Sequence, residues 1–167
     1  MVIINNIVSY KTKIINANKV FDETVQIYRK ALSFIVNVVN NEWDYISPLK
    51  AKEMINFTEK LIHKTKNNTP KYKDFNKLFY KFPSYLRREA IQTAIGIVSS
   101  YKSNLENYIK EGDFTKQKPK LSLKHFAFPV LYKGNMFVSL TENKCKIKIY
   151  KNKDWVWFNV KLRQQDI

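Results

Sequence analysis

The stretch KCKIKIYKNKDWVWFNVKL, residues 144–162, decides the fold of the C-terminal part of this chain. Apolar residues alternate with lysines up to a polar turn at residues 151–154, and a second alternating run follows that turn. Alternation with a period of two, rich in β-branched and aromatic residues on both sides of a polar turn, is typical of an antiparallel hairpin. The predicted hairpin has one apolar face and one face with a row of ammonium groups, among them those of Lys146 and Lys148.

A second alternating run lies near the other end of the chain. Lys11 and Lys13 separate the less polar residues of the stretch 10–14. We expect residues 1–15 to form one strand that pairs with the C-terminal strands, because both runs then turn their lysine-bearing sides in the same direction.

Two more strands are predicted before the hairpin. Residues 126–132 and 136–140 flank Lys-Gly-Asn at positions 133–135, a sequence compatible with a tight turn. Pro129 has no backbone N–H, so its strand is expected at an edge of the sheet or at a bend.

Residues 16–113 have helical periodicity, because apolar residues recur at alternating spacings of three and four. A first helix is predicted to follow a cap within residues 16–18 and to run to about Trp43. Ser47-Pro48 is a start signal for a second helix. A short helix is predicted over residues 74–81, and a long one from Tyr85 to Gly112, where glycine is favoured as the C-terminal cap.

The small residues of the long helix, Ala90, Ala94 and Gly96, would allow a close approach by another helix or by a nucleic-acid backbone. Helix packing is the commoner reason for such residues.

The order of elements predicts an α+β fold: a small antiparallel β-barrel or sheet with a helical bundle inserted after the first strand. Residues 1–15 would form the first barrel strand, residues 16–113 the inserted helical lobe and residues 114–167 the remaining strands.

The charge of the chain favours a polyanionic partner. Its 167 residues include 30 Lys and Arg against 14 Asp and Glu, a formal net charge of +16, together with 10 Tyr and 11 Phe. A basic chain rich in aromatic residues is expected to fold, and phosphate backbones are its usual partner, ahead of anionic membranes. A soluble lysine-rich protein encoded by an AT-rich genome is the alternative.

No catalytic or metal-binding pattern is recognisable in the sequence. Cys145 is the single cysteine, and the two histidines, His63 and His125, have no ligand spacing. Glycine-rich phosphate loops, paired-carboxylate sites and nucleophile motifs are not found. The sequence therefore predicts no enzyme activity, no cofactor and no metal. Without a signal peptide or a long apolar run, a cytoplasmic location is expected.

Several stretches resemble the N-terminal part of the TnpB (OrfB) family of transposon-encoded RNA-guided nucleases, which is related to type V CRISPR effectors. They are YKTKI at residues 10–14, the helical stretch 24–43, the proline-capped helix that begins PSYL at residues 83–86 and contains Tyr101-Lys102, and the basic exit KPK at residues 118–120.

This resemblance implies a wedge-like split barrel with an inserted helical recognition lobe that holds guide RNA and target DNA. The family's recognition positions would correspond to Arg87, Arg88 and Gln92, residue types that suit phosphates or base edges. Phe128 and Pro129 depart from the polar residues expected at the start of that strand. The chain stops near where the family's nuclease domain begins, which implies a fragment or a truncated product without the active site.

The first functional hypothesis is therefore a nucleic-acid-binding portion of a TnpB-like nuclease. The residues expected to contact the nucleic acid, besides those implied by the resemblance, are Lys11, Lys13, Lys118, Lys120, Lys124, Lys146 and Lys148. The residues considered for base stacking are Tyr101, Trp155 and Trp157, although aromatic side chains are more often part of a core. The alternative is a small basic adaptor, encoded by a phage or mobile element, whose helical lobe binds a protein through an exposed apolar patch.

Overall fold

The computed structural model describes residues 12–17, 19–123, 127–141 and 143–163. A 3₁₀ turn (Lys19–Phe21) leads into five helices: α1 (Asp22–Asn41), α2 (Trp43–Ile46), α3 (Ala51–Ile62), α4 (Asp74–Leu78) and α5 (Ser84–Glu111). Three strands follow, namely β1 (Phe137–Thr141), β2 (Lys144–Lys151) and β3 (Asp154–Lys161). The α+β class predicted from the sequence is confirmed.

The core lies mainly between α1 and α5. Leu32, Ile35 and Val39 on α1 have no exposed surface, as expected from their helical spacing. Ala90 and Ala94 on α5 are likewise fully buried, and their small side chains allow the two helices to pack closely. Helix packing is thus the reason for these two alanines.

The helix ends differ from the sequence-based expectation at the N-termini of α1 and α3. The helix α1 begins at Asp22, and the side chain of Asn16 bonds to the sheet instead of capping it. The helix α3 begins at Ala51 because the Ser47 N–H still bonds to the Trp43 carbonyl of α2. At its other end, α5 stops as predicted at Gly112, which has a φ of 67°.

The hairpin predicted for residues 144–162 is confirmed. The strands β2 and β3 pair antiparallel in a register that places Cys145 opposite Val160 and Ile149 opposite Val156. The turn consists of Asn152 and Lys153, with φ values of 53° and 63°. Two consecutive residues of positive φ match the twist of the flanking strands, as in type I′ turns.

The segment before α1 pairs with the free edge of β3. Ile14 is bridged to Leu162, the Ile15 N–H donates to the Lys161 carbonyl at 2.9 Å, and the Arg163 N–H donates to the Lys13 carbonyl at 2.9 Å. The expected contact between the two ends of the chain is therefore present, while residues 1–11 of the predicted first strand lie outside the described residues. Within the described residues, the sheet has the order β1-β2-β3 and does not close into a barrel.

The strand predicted over residues 126–132 is wrong for the described residues 127–132, which join no strand ladder. The alternation there has another cause: Leu131 packs against the helical core, whereas Phe128 and Val130 are 72% and 57% exposed. Pro129 also removes one donor that a ladder would need. The turn at 133–135 does form, and Gly134 adopts a φ of 83° in it.

In the part of the chain that the structure describes, every helix is too short or too polar to cross a membrane.

Candidate nucleic-acid interface

One side of the sheet carries a basic surface, here called the outer face. It consists of Lys144, Lys146, Lys148, Trp157, Asn159 and Lys161. In the register of β2 and β3, Lys144 lies opposite Lys161, Lys146 opposite Asn159, and Lys148 opposite Trp157. Since directly opposed residues project to the same side of a sheet, four ammonium groups and one indole share this face.

The other side of the sheet is anchored to the helical lobe. Phe21 packs edge-on against Phe158 with ring centroids 6.0 Å apart. The Thr24 hydroxyl of α1 accepts a hydrogen bond from the Tyr150 N–H at 2.8 Å, which satisfies a backbone donor of β2 beyond the end of β1. The contact of Phe158 places its phase of the hairpin against the segment before α1, and Lys146 and Lys148 belong to the opposite phase.

The charges of the outer face are not neutralised by nearby acids. Among the described residues, the ion pairs include none of the outer-face lysines. Asp154 is the single acid in the three strands, and it lies at the hairpin turn. Its pKa is lowered by a hydrogen bond from the Trp155 N–H and by the nearby ammonium of Lys81, 3.5 Å away. In the part of the chain that the structure describes, the positive charge of the four outer-face lysines is therefore not paired with an acid.

The two tryptophans of β3 have different roles. Trp155 packs edge-on against Phe82 at 5.6 Å and lies 5.4 Å from the ring of Tyr150, within the helical core. The prediction that Trp155 stacks on bases is wrong for this conformation, because its faces are used in packing. Trp157 is 43% exposed, and Lys148 Nζ lies 5.3 Å from its ring centroid.

Arg87 is a structural residue, contrary to the expectation that it contacts nucleic acid. It is only 6% exposed, and its Nε and Nη2 donate to Glu59 Oε1 at 3.0 and 2.8 Å. The reason lies in the pairing of α3 with α5: the phase of α5 that buries Leu86 and Ala90 also turns Arg87 inward, where it needs a carboxylate partner.

Arg88 and Gln92 are exposed on the next turn of α5. Arg88 Nη2 donates to Asn56 Oδ1 at 3.1 Å, and its Nη1 lies 3.8 Å from Glu59 Oε2. Both residues line a cleft of about 430 Å³ together with Tyr85 and Tyr132. They remain predicted contacts, on a surface separate from the outer face.

The remaining predicted residues divide into two groups. Tyr101 and Lys120 line a groove between α5 and residues 119–122, and Lys118 is exposed just before it. Lys13 is joined through its carbonyl to Arg163, at the β3 edge of the sheet. Lys11 and Lys124 lie outside the described residues.

Sequence reasoning placed Lys144 on the lysine-bearing side of the hairpin without naming it as a contact residue, and it missed Lys161. The signal that could have found them is the turn: counting outward from Asn152 and Lys153 pairs residue 144 with residue 161. A hairpin with a two-residue loop fixes this register.

Two buried carboxylates serve the fold. Glu42 accepts hydrogen bonds from Lys71 Nζ at 2.5 Å and from the Tyr72 hydroxyl at 2.6 Å, and these bonds lower its pKa. Glu89 accepts a bond from the Thr93 hydroxyl at 2.9 Å, but burial raises its pKa. Neither carboxylate is near a second acid in a metal-binding arrangement, and the described residues contain no cluster of three or more potential ligands.

Comparisons with known proteins connect this chain to one family. The model of the Aq_aa04 family matches residues 7–151, which include all five helices together with β1 and β2. A protein of Aquifex aeolicus (strain VF5), described only as uncharacterized protein aq_aa04, is 27% identical over 155 residues, which cover 84% of this chain and 83% of that protein. No solved structure matches the chain.

Because the family's model spans well over half of the sequence, including α1, α5 and the first two strands, the chain belongs to the Aq_aa04 family.

Proposed function

We propose that this protein binds nucleic acid through the outer face of its sheet. The observation that carries the proposal is the register of β2 and β3, which gathers four lysines and an exposed tryptophan on one acid-free surface. Residues two apart on a strand stand about 7 Å apart, so Lys144, Lys146 and Lys148 form an evenly spaced row of cations. Such a row suits the regular negative charge of a phosphate backbone.

The aromatic member of the face supports a polynucleotide over a simple anion. Trp157 keeps 43% of its surface exposed at the end of the lysine row, opposite Lys148. Exposed aromatic rings on a basic sheet are used by several folds to stack nucleobases, and each stacked base contributes about 1–3 kcal/mol. Lys148 beside the ring would then neutralise the phosphate of the nucleotide that stacks there.

The wider expectation, a wedge-like portion of a TnpB-like RNA-guided nuclease, stays a proposal. It is supported by the position of the helices in the sequence. They are inserted between the segment 13–16 and the strands, although that segment contacts the sheet in the folded protein. Arg87 weakens it, because a residue placed at a recognition position is buried against Glu59. A cytoplasmic location also stays a prediction.

A second candidate function is protein binding. The extended segment 127–132 exposes Phe128 at 72%, Val130 at 57% and Tyr132 at 40%. A row of exposed apolar side chains is typical of a protein contact. The adaptor hypothesis had expected the apolar patch on the helical lobe, whereas this surface lies on the segment that follows the helices. Protein binding there is compatible with nucleic-acid binding through the sheet.

The proposal is tested by equilibrium binding of fluorescently labelled single-stranded RNA, measured by anisotropy. The double variant Lys146→Gln and Lys148→Gln removes two outer-face charges and leaves neutral polar side chains one atom shorter than lysine. The matched control, Lys52→Gln and Lys77→Gln, removes two exposed charges from α3 and α4. We expect at least a tenfold loss of affinity in the first variant and about twofold or less in the control. Equal losses in both would overturn the proposal.

A further inference from the structure

A groove of about 640 Å³ lies along the middle of α5, where the chain returns over residues 119–122. Its walls combine the ring of Tyr101, the ammonium of Lys120, the amide of Asn104 and the hydroxyl of Ser100. Gly96 lies in the same lining. The groove thus brings together a cation, an aromatic ring and neutral hydrogen-bonding groups at a site separate from the outer face of the sheet.

The glycine has no role in the packing of the protein itself. A Cβ added to Gly96 would meet no atom within 4 Å, whereas Ala90 and Ala94 on the same helix are fully buried. Glycine in the interior of a helix destabilises it relative to alanine. The contacts among the described residues therefore do not explain why α5 has glycine at this position in the lining of the groove.

We propose that this groove binds one ribonucleotide of an RNA strand, with the RNA backbone passing close to Gly96. The inference rests on the proposed nucleic-acid function and assigns it a second contact site and a polymer class. Tyr101 stacks on the base and Lys120 meets a phosphate, as in other single-strand sites. Ser100 and Asn104 supply a hydroxyl and an amide that can pair with the ribose 2′-hydroxyl, the group that distinguishes RNA from DNA.

The decisive variant is Gly96→Ala, because it separates binding from folding. The added methyl group enters the groove, yet alanine favours the helix, so the variant is expected to unfold at the same or a higher denaturant concentration than the wild type. The matched control is Ser99→Ala, an exposed residue of α5 outside the groove.

The probes are fluorescently labelled oligo(U) and oligo(dU) of about 12 nucleotides, which differ only in the 2′-hydroxyl. We expect the wild type to bind oligo(U) several-fold more tightly. We expect Gly96→Ala and Tyr101→Ala each to weaken oligo(U) binding on the order of tenfold and to remove the preference, while Ser99→Ala changes neither.

The outcomes distinguish this inference from the proposed function. If Gly96→Ala binds oligo(U) like the wild type while the outer-face double variant is weakened, the groove has no role and the function stands. Equal affinities of the wild type for oligo(U) and oligo(dU) would overturn the assignment to a ribonucleotide. If the wild type binds neither probe, the proposed function and the groove both fail.

Discussion

Lys148 and Trp157 are directly opposed across β2 and β3, and Lys148 Nζ lies 5.3 Å from the centroid of the indole ring. A cation over an aromatic face is worth about 0.5–1 kcal/mol at an exposed site. The pair holds the ring upright on the outer face with part of its surface open to solvent. In the proposed complex, the Lys148 ammonium would contact a phosphate and the Trp157 ring would stack on the base of the same nucleotide.

The two tryptophans of β3 should respond differently to truncation. We expect Trp157→Ala to reduce the affinity for single-stranded RNA by about tenfold or more, with little effect on the free energy of unfolding, because its ring is exposed. Trp155→Ala removes a ring packed against Phe82 and should destabilise the protein by about 2–4 kcal/mol. Anisotropy titrations and urea unfolding of both variants check this. Similar unfolding losses in both would be inconsistent with the packing described.

The Arg87–Glu59 pair links α5 to α3 and predicts a second contrast. Arg87→Ala leaves the Glu59 carboxylate without its close cation, so we expect a loss of about 3 kcal/mol in the free energy of unfolding. Arg88→Ala removes an exposed guanidinium and should cost less than about 1 kcal/mol. Urea unfolding distinguishes the two. An Arg87→Ala variant as stable as Arg88→Ala would show that Arg87 is not structural.

Glu89 predicts a pH-dependent loss of stability. Its pKa is raised above 4.5 by burial, which outweighs the lowering effect of the neighbouring Tyr28 and Thr93 hydroxyls. Because the carboxyl group ionises at lower pH in the unfolded chain, its contribution to stability is greatest below about pH 4.5 and falls as the pH rises through the raised native pKa.

Glu89→Gln removes this titration while keeping the shape of the side chain. Its stability relative to the wild type should therefore increase between about pH 4.5 and pH 8, since only the wild type must bury a charge at the higher pH. Urea unfolding at several pH values measures the difference. A stability difference that does not change with pH would contradict the raised pKa.

Asn16 ties the N-terminal segment to β3. Its Oδ1 accepts from the Lys161 N–H at 3.0 Å, and its Nδ2 donates to the Asn159 carbonyl at 2.9 Å. We expect Asn16→Ala to cost about 1 kcal/mol and to accelerate exchange of the Lys161 amide hydrogen, because this exposed sheet edge loses a bond. Hydrogen exchange by NMR tests this, with the Cys145 amide in the adjacent strand as the internal reference. Unchanged protection at Lys161 would show that the Asn16 side chain does not hold this edge of the sheet.

Local patterns in the sequence were sufficient for the elements whose signal is periodic. The hairpin follows from alternation around Asn152 and Lys153, and α5 follows from its apolar spacing and the glycine at 112. The extended segment 127–132 alternates as a strand would, but alternation reports only which side chains are buried. Whether a ladder partner exists depends on the rest of the fold.

Contacts between distant elements could not be predicted for the candidate site. Trp155 and Trp157 share one phase of β3, yet Trp155 meets Phe82, from the connection between α4 and α5, and becomes part of the core. Arg87 and Arg88 are adjacent in the sequence, and only the approach of α3 determines which of them is buried. The residue types alone predicted that a basic surface exists. Which residues belong to it depends on these tertiary contacts.

The most direct measurement is the salt dependence of RNA affinity, recorded between about 50 and 300 mM salt for the wild type and for the two double lysine variants. The account predicts a steep decrease of log affinity with log salt for the wild type. It predicts a slope shallower by about 1.5 for Lys146→Gln and Lys148→Gln and an unchanged slope for Lys52→Gln and Lys77→Gln. Identical slopes for all three proteins, or binding that is insensitive to salt, would contradict it.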